Sequence, residues 1–160
     1  MAVDMFLKLN GIKGEAQDDK HKDEIDVLSW SWGASQGGTM HAGTGGGAGK
    51  VHVQDLTVTK WVDVASSPIY NAIAGGKHIQ DATLTVRKAG EKPLEYLIIK
   101  MTDVIVTSWH TGGSGGEDRL TENVTLNFAK VNVKYVQQNK DGSAGASPEV
   151  NHDIAANKVG

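Results

Sequence analysis

Hydrophobic and polar positions alternate along most of this chain, most clearly from Leu120 to Phe128. Leu120, Glu122, Val124, Leu126 and Phe128 share one phase; Thr121, Asn123, Thr125 and Asn127 share the other. A period of two puts successive side chains on opposite faces of a strand. Val131, Val133 and Tyr135 continue the pattern after a phase slip. The same reading predicts strands over Val3 to Leu9 and over Ala82 to Arg87, where Ala82, Leu84 and Val86 oppose Thr83, Thr85 and Arg87. Val51 to Val62 and Leu94 to Trp109 read as two more. In the second of these, Tyr96-Leu97-Ile98-Ile99 is apolar without a break, so both faces need cover.

The segment Glu24 to Gln36 carries the strongest single signal. Leu28, Trp30, Trp32 and Ala34 fall on one face, and Ser29, Ser31, Gly33 and Ser35 on the other. Ile25 and Val27 alternate in the opposite phase, so Val27-Leu28 marks a slip that one extra residue, a β-bulge, would explain. Trp30 and Trp32 are assigned to the core. Fully buried, the pair would contribute at most on the order of 10 kcal/mol. The serine face holds no large or charged side chain, whereas a solvated strand face usually holds Lys, Glu or Thr.

Ser66-Ser67-Pro68 resembles a helix start, with a Ser N-cap and Pro at the first helical position. Ile69 and Ile73 lie four apart and Gly75-Gly76 supplies a stop, so a short helix is predicted over Pro68 to Ala74, packed on a sheet. Two Gly-rich loops stand out. Gly37 to Lys50 has glycine at seven of its fourteen positions, and Thr111 to Arg119 is the second. From Gln137 onward the chain is polar, with an apolar patch near Val150 and Ile154. The predicted class is all-β with one short helix, as a barrel or sandwich.

Composition removes several functions. A net charge of −3 with both signs scattered offers no basic stripe for nucleic acid or an anionic membrane. There is no cysteine, hence no disulfide and no thiolate chemistry. Met1 to Lys8 lacks a basic start and is interrupted by Asp4 and Lys8, so no cleaved Sec signal is expected, and no run approaches a transmembrane span. Gly43 to Ala48 fits a loose dinucleotide pattern, but a strand follows where a helix N-terminus is required. A P-loop would need Gly at position 44 and Ser or Thr at 51, where Thr44 and Val51 stand. None of His21, His41, His52, His78, His110 and His152 has a partner at a recognised metal-ligand spacing, and His21-Lys22-Asp23-Glu24 reads as a solvated loop. Glu117-Asp118-Arg119 could offer a carboxylate pair for a hydrolase, although a charged turn is the simpler reading. Trp61 and Trp109, near strand ends, could stack on sugars in a carbohydrate-binding β-sandwich. No catalytic, cofactor or metal site is predicted, and no enzyme.

Several stretches point to a known family. They are Met1-Ala-Val-Asp-Met-Phe-Leu-Lys8, Ile12-Lys-Gly-Glu15, Glu24 to Gln36, Met40-His41 with the Gly loop to Lys50, and Val51-His-Val-Gln-Asp-Leu-Thr57. Gly76-Lys-His78, Ala82 to Gly90 and Thr111 to Phe128 follow. Across about residues 1–136 the chain resembles the haemolysin-coregulated protein (Hcp) family of bacterial type VI secretion. The resemblance implies a compact β-barrel of two sheets over 1–136, with 137–160 as a polar tail that has room for a short terminal strand. It implies a homohexameric ring, rings stacked into a tube, and partners in the sheath and baseplate, the spike and carried effectors, with no nucleic acid and no membrane insertion. It further implies a cytoplasmic protein secreted when the apparatus fires. On that basis Ser29, Ser31, Ser35 and Ser114 are expected to line the ring lumen and bind effectors. Thr39, Met40, His41, Thr44 and Lys50 are expected to contact the next ring.

Overall fold

A computed structural model describes residues 3–41 and 50–160. Along them run β1 (Val3–Leu9), β2 (Ile25–Ser31), β3 (Ala34–Ser35), β4 (His52–Val53), β5 (Leu56–Trp61) and α1 (Ser66–Ala74). Then come β6 (His78–Lys88), β7 (Leu94–Gly112), β8 (Thr121–Tyr135), β9 (Glu149–Asp153) and β10 (Lys158–Val159). The main sheet runs β8-β5-β2-β1-β6-β7, and β7 pairs back onto β8, so six antiparallel strands close a barrel. Closure leaves these strands without a free edge. β8 outlasts its partner β5: Thr121 to Leu126 pairs with β5, and Lys130 to Lys134 pairs with β9, which carries β10. β3 and β4 form a separate two-stranded sheet.

The alternation seen in the sequence turns one phase of each strand inward. Leu7, Leu9, Ile25, Leu56, Val58, Leu84, Met101, Val124 and Leu126 are all buried in one cluster. The slip at Val27-Leu28 is a bulge: the β2–β5 register shifts between Val27 and Ser29. Leu28 is the extra residue and is 38% exposed, so it does not share the tryptophan face. Trp30 and Trp32 do face the core, but they pack against its margin and stay half-buried. They therefore realise only part of the burial energy expected of them. Trp32 keeps a polar tie, its Nε1–H donating to the Gln54 carbonyl at 2.8 Å. The same turn splits the expected Val51–Val62 strand into β4 and β5, since the Gln54 N–H turns aside to the Gly33 carbonyl at 2.9 Å.

Two expectations are corrected, the solvated His21 loop and the Ser N-cap of the helix. The outward phase of β1 and β6 is only partly solvated, because the segment 12–24 folds over it and buries Phe6, Thr85 and Arg87. Gly14 is required there, since a Cβ would run into the Glu24 carbonyl. His21 is buried rather than solvated: its ring stacks on Phe6 at 4.4 Å, and its two nitrogens meet Glu24 at 2.9 Å and Glu95 at 2.6 Å. Arg87 grips Asp18 through both terminal nitrogens, at 2.7 and 2.9 Å, and Asp4 at 3.0 Å. Those charge-assisted bonds to Arg87 hold the Asp18 carboxyl down at about 2.

The second correction concerns α1. Its N-cap is Ala65, with no side-chain cap, and Ser66 and Pro68 are its first and third residues. The Ser66 hydroxyl is used elsewhere, accepting from the Asp63 N–H at 3.0 Å and donating to Glu122 at 2.7 Å. Ile69 and Ala72 anchor the helix in the core against β7. Beside it lies a fully buried ion pair. Lys60 and Glu122 are cross-strand neighbours on β5 and β8 that point inward and bond to each other. Lys60 also donates to the Trp61 carbonyl and to Asp63, both at 2.8 Å, and Glu122 accepts from Trp109 Nε1–H at 2.7 Å. All three ammonium protons are used.

Candidate functional site

With Trp30 and Trp32 turned to the core, the other side of β2 must face outward. Cross-strand partners share a face, so the register carries that face across four strands. Ser31 lies opposite Thr57, Thr57 opposite Thr125, and Thr125 is paired with Ser108. In the next row Ser29, Thr59, Asn123 and His110 follow one another. The surface is a sheet of short hydroxyl and amide groups. Thr125 Oγ1 bonds to both Thr107 and Ser108 at 2.6 Å, and Thr59 donates to Asn123 at 2.6 Å. Asp55 brings a carboxylate to its edge, held by Thr107 at 2.7 Å and Asn127 at 2.9 Å. These bonds fix the rotamers of the lattice, while among the described residues the exposed Ser29 and Ser31 hydroxyls have no side-chain partner. Such a face offers adaptable donors and acceptors at little steric cost.

The other expected residues are not gathered here. Ser35 belongs to β3, opposite His52, because the chain leaves the barrel sheet after Ser31. Ser114 is exposed in the loop between β7 and β8, where its carbonyl accepts from the Glu117 N–H at 3.2 Å. Thr39, Met40, His41 and Lys50 are exposed on the connection from β3 to β4, with Met40 80% exposed. Thr44 and the Gly43–Ala48 pattern lie outside the described residues. Sequence reasoning missed Asp55, Thr107 and Ser108, and also Thr57, which is Ser31's direct partner on β5. The alternation of Thr121 to Asn127 carried the signal; the pairing of β5 with both β2 and β8 was needed to use it.

The rival sites look different in three dimensions. The Arg119 guanidinium sits 4.4 Å from the centre of the Trp61 ring and covers the face a sugar would stack on. Trp109 is tied to Glu122 and meets Tyr70 edge-on at 5.5 Å. Glu117 and Asp118 flank Trp61 in an exposed loop, and among the described residues neither carboxylate has a hydrogen-bond partner to orient it. Among the described residues no helix is long and apolar enough to cross a membrane.

Comparison with known proteins follows the same lines. A family model described as "Type VI secretion system effector, Hcp" matches residues 6–135. Protein hcp1 of Pseudomonas aeruginosa is 58% identical over 149 residues, spanning 92% of this chain and 92% of that protein. The crystal structure of Hcp1 from Salmonella typhimurium is similar at a TM-score of 0.83 and 45% identity, covering 99% of each chain. A structure described as that of a type six secretion system protein gives a TM-score of 0.94 at 34% identity, covering 99% of this chain and 100% of its own.

Proposed function

The chain belongs to the Hcp family of type VI secretion, and from that premise we propose that it is a structural and carrier component rather than an enzyme. Six copies form a closed ring, rings stack into a tube, and the tube leaves the cytoplasm through the contractile apparatus with spike, sheath and baseplate proteins as its partners. Effectors travel in the lumen, against the hydroxyl face centred on Ser31. The observation that carries this reading is that face itself. It is broad, nearly neutral and built mostly of short side chains, with His110 at its far edge, and it is braced from behind by the core. Repetition around a ring lets weak polar contacts act together. Thr39, Met40, His41, Thr44 and Lys50 serve the contact between rings, and Ser35 and Ser114 lie at the margins of the lumen. The sugar-binding alternative has less support, since Arg119 occupies the Trp61 face.

The test is co-purification of cargo with intact rings. Light scattering should report about six subunits, with ring shape checked by negative-stain microscopy. Ser31→Gln adds bulk to the face without touching the core, so rings should persist while effector recovery falls. Ala74→Gln, on the exposed end of α1, is the matched surface control; Thr57→Gln would not serve, because Thr57 is Ser31's own neighbour. Ser31→Gln rings that retain cargo as the parent does would remove this face from cargo binding.

A further inference from the structure

A closed ring is a head-to-tail assembly: each copy must present two different patches that fit each other. The barrel order puts β1 three strands from β8 in either direction, so these strands stand on opposite sides. A cleft on one side and a patch on the other carry opposite charge. On the β1 side a cleft between β1, β2 and the 12–24 segment is lined by Asp4, Asp18, Asp26 and Arg87, three carboxylates against one guanidinium. Asp4 and Asp18 are engaged by Arg87, but among the described residues Asp26 has no hydrogen-bond or ion-pair partner. Burial, with the nearby Asp63 charge, pushes the Asp26 carboxyl up, and the Arg119 charge offsets this only in part. Arg87 lines the same cleft with a side chain only 9% exposed, and its Nε–H is buried without an acceptor. A buried donor without a partner is costly. That donor is closed off from any docking chain, but the cleft lacks a cation beside Asp26, which a protein chain can bring.

The opposite surface supplies the cations. On the outer face of β7, β8 and β9, Lys100 is aligned with Asn132 and Asn151, and Thr102 with Lys130 and Asp153. Lys134 lies opposite Glu149, and Lys158 continues the second row on β10. Four lysines meet two carboxylates, and among the described residues Lys100, Lys134 and Lys158 form no ion pair. We propose that neighbouring copies join head to tail by seating this lysine face in the Asp26 cleft of the next copy. The hydroxyl face of β2, β5, β8 and β7 runs from β2 beside the cleft to β7 and β8 beside the lysines, so both contacts flank the surface assigned to the lumen. This inference rests on the ring reading above and adds which surfaces close it.

Charge reversal tests it with two variants, Asp26→Lys and Lys100→Glu/Lys134→Glu, each checked for folding by circular dichroism. Alone, Asp26→Lys cancels the cleft's net negative charge and sets a lysine against lysines, and Lys100→Glu/Lys134→Glu sets carboxylates against carboxylates; each should raise the protomer concentration for half-assembly about tenfold or more. Mixed one to one, every contact in an alternating ring again joins opposite charges, and rings should return. Wild-type rings should also weaken as salt is raised. Rings from either variant at wild-type concentrations, or no recovery on mixing, would overturn the pairing and leave the ring reading standing. A wild type that stays monomeric would overturn the ring reading and this inference with it.

Discussion

Lys60→Met isolates the most unusual feature of the interior. The substitution keeps roughly the length of the side chain and removes its charge. Glu122 would then stay fully buried with Ser66 and Trp109 as donors but no cation, and Asp63 would lose one of its bonds. Removing one partner of a buried pair typically costs about 3–5 kcal/mol, because the remaining charge is left uncompensated. In a chain of this length each kcal/mol lowers the unfolding midpoint by about 2–4 °C, so a fall on the order of 10 °C is expected. Replacing both, as Lys60→Met/Glu122→Leu, removes the stranded charge. Its cost should fall short of the sum of the two single variants by about 2 kcal/mol. Urea unfolding read by tryptophan fluorescence measures this, at one fixed protomer concentration, since assembly into the proposed ring would add its own stability. A Lys60→Met cost below about 1 kcal/mol, or strictly additive variants, would refute the reasoning, because the pair would then not be energetically coupled.

Two further outcomes are expected. The Asp18 carboxyl is held low by Arg87, so the tie between the 12–24 segment and the barrel is fully present above the ordinary carboxylate value of 3.8 and is lost as pH falls through about 2. Hydrogen exchange of that segment should rise over this window in wild type. Asp18→Asn should exchange fast and without that step, and an unchanged profile in Asp18→Asn would discard the tie. Replacing Gly37 to Lys50 by Gly-Gly-Ser should leave single rings intact but weaken their stacking, as sedimentation or microscopy would show. Equal tube length without the segment would make it only a linker.

The parts of the fold that were legible in the sequence are those governed by local alternation. β1 was readable to the residue, the long apolar run became β7, and the doubled apolar pair at Val27-Leu28 announced its bulge. What stayed hidden depends on partners distant in the chain. Phe6 and Arg87 sit in the polar phase of their strands and are buried only because residues 12–24 cover them. His21 looked like one polar residue among several, and its second carboxylate lies 74 positions away. One signal was present and went unused: Glu122 shares the phase of Val124 and Leu126, and Lys60 that of Leu56 and Val58. A charge in the apolar phase of a strand needs a buried counter-charge, and two such strands of opposite sign imply their own pairing. The candidate site was half legible for the same reason. Ser29 and Ser31 could be assigned a face from alternation, but Ser35 could not, because the chain leaves the sheet between them.

The bulge at Leu28 is where these readings converge. A strand without it would keep the phase of Ile25 and Val27, and Ser29 and Ser31 would turn inward while Trp30 and Trp32 turned to solvent. One inserted residue resets the phase, so a single seven-residue strand presents Asp26 to the acidic cleft below the bulge and serines to the hydroxyl face above it. On the proposed reading these are the two surfaces a ring subunit most needs to hold at a fixed angle, the contact with its neighbour and the wall toward its cargo. Each is clamped by its own neighbour, Asp26 by β1 through Phe6, and Ser29 and Ser31 by β5 through Thr59 and Thr57. The tryptophans then act less as the centre of the core than as its margin, closing it behind the serines. The small neutral face is thus the outer side of a strand whose inner side is closed by its largest residues, which allows that outer side to remain small.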